Sequence, residues 1–341
     1  MQAPPAASTP PPPPPPTPHK IRVQASTSTA PSYGYQPYYR QGYQPYTYGQ
    51  YPYPHPYVPG YGAPPGEAKL ELPSILTLFV IFIGAIFIGA LGLYTGGVLI
   101  LFFPIAFIIA FSFPSFMWIS YVYKKDVHEP EPRRVVMIAL TFGFLSTILA
   151  IALSAPLVFI YPSLAFSAVV VAPVVEEFCK ASGLRLVRGE INGQIDGVIY
   201  GVTIGMGFAM VENFLYELGF IFSDPAVWTF GSLLRGLGST IGHGLGAGFI
   251  GYAYAYYHMN KGQPGAFGNV IKAYIAAVGL HALWNGVAFL SGENALGLVV
   301  IILIAVAEVV ILKTLVSIAR EKDIQRLTEG LVHEPAPEEV R

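Results

Sequence analysis

From Ser74 to Tyr94 the chain reads SILTLFVIFIGAIFIGALGLY, a run without a charged residue. A helix needs roughly 20 apolar residues to cross the hydrocarbon core of a bilayer, and this run has them. Only helices and closed barrels satisfy their backbones in lipid, and the period-2 alternation of a barrel strand is absent. The run therefore predicts a membrane-spanning helix. Seven further apolar stretches repeat it: Gly97 to Tyr123, Val135 to Ile160, Ser163 to Leu184, Gly197 to Phe222, Thr229 to Tyr257, Val270 to Leu290 and Ala295 to Val316. The expected fold class is all-α, a polytopic membrane helix bundle of about eight transmembrane helices over residues 71–320.

Composition agrees. Of 341 residues, 53% are hydrophobic and 11% charged, against about 25% charged in soluble domains. An ordinary water-exposed enzyme is excluded. The 19 basic and 20 acidic residues nearly cancel, so no nucleic-acid partner is expected. Cys179 is the single cysteine, which excludes internal disulfides and thiolate metal cages. Residues 1–66 hold 19 of the 31 prolines and 11 of the 22 tyrosines, with an unbroken proline run from Pro10 to Pro16. Such a segment buries too little apolar area to offset its ordering entropy, so residues 1–70 read as a disordered tail. No secretory signal pattern opens it. Its plain reading is a linker; its sharper reading is a ligand for protein partners that recognise proline. Residues 321–341 read as a short charged C-terminal tail.

The loops set the orientation. Lys124, Lys125, Arg133 and Arg134 lie between the second and third stretches. Lys180, Arg185 and Arg188 flank the link from fourth to fifth, and Lys261 and Lys272 that from sixth to seventh. The alternate loops carry no Lys or Arg. The positive-inside rule then places both termini in the cytoplasm of a multi-pass protein of the cell membrane, with Arg235 the one basic residue toward the outer side.

An ionisable group in hydrocarbon costs several kcal/mol unless it is paired or faces a wet cavity. Here such groups recur: Glu176 and Glu177, Glu212, His243, His281 and Glu308. At about 1.5 Å per residue from each outer boundary, Glu176 lies ~20 Å deep, His243 ~21 Å, Glu212 ~15 Å and His281 ~14 Å. One layer can therefore hold them all. The i, i+4 spacing of His281 and Asn285 puts both on one helix face, and the same spacing predicts an ion pair of Glu176 with Lys180. Glu177 is rotated about 100° from Glu176. Glycines crowd the approach to Glu212 and surround His243, as they do where membrane helices touch backbone to backbone.

Acids beside imidazoles in a shielded site suit water activation by a carboxylate, or by a divalent metal held by the same residues. A His-Glu-x-x-His motif, a Gly-x-Gly-Asp signature and a glycine-flanked serine nucleophile are missing. The apolar setting of Cys179 reads as structural. From another class, a transporter or proton relay also uses buried acids and histidines, although inverted repeats are not evident.

The runs Glu176-Glu177-Phe-Cys-Lys180, Asp196-Gly-Val-Ile-Tyr200-Gly201 and Gly205-x-Gly207-Phe208-Ala209-x-x-Glu212-Asn213 resemble those of PrsW-type intramembrane proteases. Arg235 ahead of His243, the His281-x-x-x-Asn285 pair and the loop Asp126-Val-His-Glu129-Pro-Glu131-Pro add to the likeness, which runs from about Tyr121 to Leu290. That family is similar to the CAAX prenyl endoproteases. The resemblance implies hydrolysis of a peptide bond in a membrane-anchored protein substrate, the best-known role being cleavage of an anti-sigma factor. It implies Glu176 and Glu177 as essential acids, Glu176 being the general base with His243. It further implies His281 and Asn285 at the oxyanion, with Glu212, Asn213, Lys180, Asp196 and Arg235 in support. A divalent metal such as zinc on Glu176, Glu177, His243 and His281 stays open beside a metal-free glutamate mechanism.

Overall fold

The computed structural model describes residues 70–126, 129–291 and 295–332. The proline- and tyrosine-rich tail expected over 1–70 lies almost wholly outside the described residues. Of these residues 87% are helical, and none forms a strand.

Helix α1 (Ile75–Thr95) begins where the Ser74 hydroxyl accepts the Thr77 N–H at 3.0 Å and ends at Gly96, whose φ of 64° suits glycine. A 3₁₀ turn leads into α2 (Phe103–Tyr123). Helix α3 (Arg133–Ile160) follows Pro132, and α7 (Gln194–Ile221), α10 (Ala266–Ser291) and α11 (Ala295–Val332) complete the long helices. Among the described residues six helices are long and apolar enough to cross a membrane, not the eight expected.

The other two stretches are broken by π-helical turns. One runs α4 (Leu164–Phe166), a π turn at Ser167–Val171, then α5 (Ala172–Ser182), with the short α6 (Leu184–Val187) beyond. The other runs α8 (Pro225–Leu234), a π turn at Arg235–Ser239, then α9 (Thr240–Met259). The first break has a local cause. Pro173 has no N–H to continue the ladder, and just before it the Ala172 N–H bonds to Ser167 O, one residue beyond the regular α partner. The Ala168 carbonyl that loses this donor accepts Asn285 Nδ2 from α10 at 2.9 Å instead. In the second, the Thr240 hydroxyl donates to Arg235 O at 2.8 Å. Such turns concentrate at functional sites, and these two segments carry Glu176, Glu177 and His243.

Helix α7 is the axis of the bundle: 78% of its apolar window is buried, against at most 39% in the other five spans. Gly197, Gly201 and Gly205, each four residues apart, face α9 so closely that a Cβ on any of them would strike the carbonyls of Gly251, Ala247 and His243 respectively. On the α3 side, Gly207 abuts Leu140 O and Gly143 abuts Ile204 O. This is small-residue packing, in which backbones approach because side chains are missing. Seated this way, α9 brings His243 beside the polar turn of α7 that holds Glu212.

The end of the bundle that carries the basic loops is tied together. Lys124 Nζ donates to Leu72 O at 2.7 Å. The first residues of the charged C-terminal segment continue α11 to Val332, and Asp323 among them ties that helix to α7. Its carboxylate accepts the Gln194 and Ile195 N–H groups at 2.9 and 2.7 Å, capping α7 from outside. Replacing Gly201 by Leu should lower stability by at least about 1–3 kcal/mol by forcing α7 from α9. Gly219→Ala, where nothing lies within 4 Å of the new methyl, should stay within roughly 0.5 kcal/mol of wild type in the same thermal unfolding in nanodiscs.

Candidate active site

Four helices and one π turn converge on a single chain of polar contacts in the bundle. From the second π turn, Arg235 donates Nη2 to Glu212 Oε2 at 2.5 Å and Nε to Asn213 Oδ1 at 2.8 Å. Asn213 in turn donates to Thr240 Oγ1 at 2.8 Å. The same Glu212 oxygen lies 2.6 Å from His243 Nε2. The other nitrogen of that ring, Nδ1, lies 2.9 Å from Lys180 Nζ. Lys180 also donates to Glu177 Oε1 at 2.7 Å, and that oxygen is 2.9 Å from His281 Nδ1. At the far side, His281 Nε2 stands 3.7 Å from Glu176 Oε2.

Burial grades along this chain. Lys180 and Glu177 are at 0% and 1% exposure and His243 at 4%, whereas His281, Arg235, Glu176 and Glu212 range from 9% to 18%. The interior thus holds a charge pair and a histidine, and its rim holds two carboxylates, a guanidinium and an imidazole. Breaking a buried pair of this kind by removing one partner costs about 3–5 kcal/mol. Phe208 closes the inner side, with Lys180 Nζ 4.3 Å from its ring centroid and the His243 ring centroid 5.3 Å away. Gly246 makes room for Glu177: a Cβ there would lie 3.1 Å from Oε2.

The sequence layer of Glu176, Glu177, Glu212, His243 and His281 is therefore one site, joined by Lys180, Asn213 and Arg235. Partner choice differs from the expectation in four respects. Lys180 pairs with Glu177 at i, i+3 and not with Glu176, because Glu177 is on the α5 face turned to α9 and α10. His243 bonds Lys180 and Glu212, so Glu176 faces His281 instead. Asn285 spends an amide hydrogen on Ala168 O. Asp196 is at the other end of α7, about 24 Å from Glu212 along the helix axis, where it accepts the Asn192 and Gly193 N–H groups at 2.8 and 2.7 Å. Glu308 is buried against Gly242, outside the chain of contacts, with its Oε2 unbonded. Glu217 on α7 is a further fully buried acid, in the same apolar stretch as Glu212 but outside the layer read from the sequence.

A model of PrsW family intramembrane metalloproteases matches residues 131–312, just over half the chain. The chain belongs to the PrsW family. It is a multi-pass membrane peptidase. No curated protein and no solved structure matches it.

The PrsW family name points to a metal, and one atom each from Glu176, His243 and His281 lie within 4.8 Å of one another. Two imidazoles and a carboxylate are suitable donors for zinc. Within this trio, however, Glu176 Oε2 and His281 Nε2 are the atoms left without a hydrogen bond. Both nitrogens of His243 are engaged, by Lys180 and Glu212. This trio as placed does not fit a three-ligand zinc site, because His243 has no free nitrogen to offer.

The PrsW match starts at Glu131, in a second acid group with Asp126 and Asp196. Tyr200 donates its hydroxyl to Glu131, and Tyr123 donates to the Glu131 carbonyl oxygen at 2.9 Å. These bonds anchor the loop before α3 to the start of α7 and to the end of α2. Burial, followed by the charges of Asp196 and Asp126, pushes Glu129 up from the ordinary 4.5 to about 7, and burial holds Glu131 well above the ordinary value. A raised folded-state value favours the protonated carboxyl, so this stability is complete below pH 4.5 and is lost as pH rises through about 7. Thermal unfolding in nanodiscs should therefore show a loss of stability from pH 5 to pH 8, and Glu129→Gln should make that loss smaller.

Proposed function

We propose that this PrsW protein hydrolyses a peptide bond of a membrane-anchored protein substrate, with Glu176 as the base that activates water. The observation that supports this reading is the unbonded Glu176 Oε2 opposite His281 Nε2, 3.7 Å apart, beside the hydrogen bond that joins His281 Nδ1 to Glu177. Glu177 is an acceptor, so His281 donates its Nδ1 hydrogen to it and keeps a lone pair at Nε2. A water between the two open atoms gives one hydrogen to each. As the proton passes to Glu176, the water oxygen attacks the scissile carbonyl carbon, and the carbonyl oxygen becomes the oxyanion. Collapse breaks the C–N bond, and Glu176 returns the proton to the leaving amine. Asn285 retains its second amide hydrogen for the oxyanion, the role the family resemblance implies.

In the same reading the two π-interrupted segments complete eight spans, an even number. The basic loops then place both termini in the cytoplasm, and the substrate is a regulatory membrane protein of the anti-sigma kind. Proteolysis in reconstituted vesicles tests the chemistry. Glu176→Gln preserves shape and removes the base, and should cut turnover by about 10²–10⁴-fold while the protein still inserts. Glu177→Ala should be equally damaging. Full activity in either variant, or solute flux in place of cleavage, refutes the assignment.

A further inference from the structure

Lys180 is the least expected member of the site, a cation with no exposure in the middle of a membrane bundle. Its bonds say what it does. Ion-paired with Glu177, it presents an ammonium, which has three hydrogens to donate and nothing with which to accept. Its 2.9 Å contact with His243 Nδ1 is then a hydrogen bond that Nδ1 accepts. A neutral ring accepting at Nδ1 carries its hydrogen on Nε2. That nitrogen lies 2.6 Å from Glu212 Oε2, a carboxylate held by Arg235 that can only accept. The two neighbours, arriving from α5 and α7, demand the same tautomer.

We infer that Lys180 is a positioning residue that holds His243 in the Nε2–H tautomer and thereby withdraws it from any metal-ligand set. A histidine ligand must offer a bare nitrogen, oriented by a hydrogen bond from the other. Here the bare nitrogen, Nδ1, is covered by an ammonium, and a divalent ion at that point would face Lys180 directly. His281 has the opposite arrangement: its Nδ1 is held by a carboxylate and its Nε2 is open. The two histidines of the site are thus prepared for different work. Lys180 makes the difference.

The inference deepens the hydrolytic reading, but its zinc and tautomer measurements do not depend on cleavage. Full-length protein in nanodiscs is titrated with zinc chloride as wild type, His243→Gln, Lys180→Met and the double variant Lys180→Met/His243→Gln. In parallel, ¹⁵N resonances of His243 report its tautomer. Wild-type zinc affinity should be unchanged by His243→Gln. Lys180→Met, which keeps the stem and removes the ammonium, should bind zinc about 10–100-fold more tightly, and the double variant should lose that gain. Wild-type His243 should show a protonated Nε2 and a bare Nδ1. A stoichiometric wild-type zinc that His243→Gln removes, or an Nδ1–H resonance, overturns the inference. Both wild-type measurements stand even where Lys180→Met fails to fold. Correct zinc and tautomer results beside a fully active Glu176→Gln would sink the hydrolytic reading alone.

Discussion

A charge survives in hydrocarbon only beside another charge or beside water, and the polar layer of this protein is arranged around that constraint. The ammonium of Lys180 and the carboxylate of Glu177 neutralise one another at the centre. The guanidinium of Arg235 neutralises Glu212 at the rim. His243 joins the two pairs without adding charge. What the pairing leaves over is Glu176, the single acid of the cluster that faces a histidine at 3.7 Å and not a fixed cation. The proposed base is thus the acid at which neutralisation stops.

Pairing this tight requires close helices, and α7 supplies them. Its glycine stripe brings the α9 backbone into contact at the turn of His243, while Gly207 does the same toward α3. The polar site and the glycine packing are therefore one construction. Side chains on α7 at the stripe would push α9 away and separate Glu212 from His243. Far from the site, Asp323 and the Glu131 loop fasten the opposite end of the same helix, so α7 is fixed at its start and in its middle.

Much of this was legible from residue order. Apolar run lengths and a rise per residue placed Glu176, Glu212, His243 and His281 in one layer, and the structure joins them there. The pairing was not legible, because spacing on a single helix does not say which face a neighbour covers. Lys180 has an acid three residues back and another four back, and only the packing of α9 and α10 selects Glu177. Asp196 stands in the run just before that of Glu212 yet lies about 24 Å from it along α7, since neighbouring runs on one straight helix are far apart in space. The π turns were invisible too: apolar composition is the same in a regular helix and in a widened one. Pro173 was the local signal for the first of them.

The π turn at Ser167–Val171 has one more effect. An extra residue in a single turn shifts the helical phase by about 100° for everything beyond it. Leu164 and Phe166, before the turn, are exposed where lipid would lie, while Glu177 and Lys180, after it, point to the interior. The turn thus sets which residues of α5 face the interior. Asn285 holds that change in place from the neighbouring helix, a wedge that keeps the dial set.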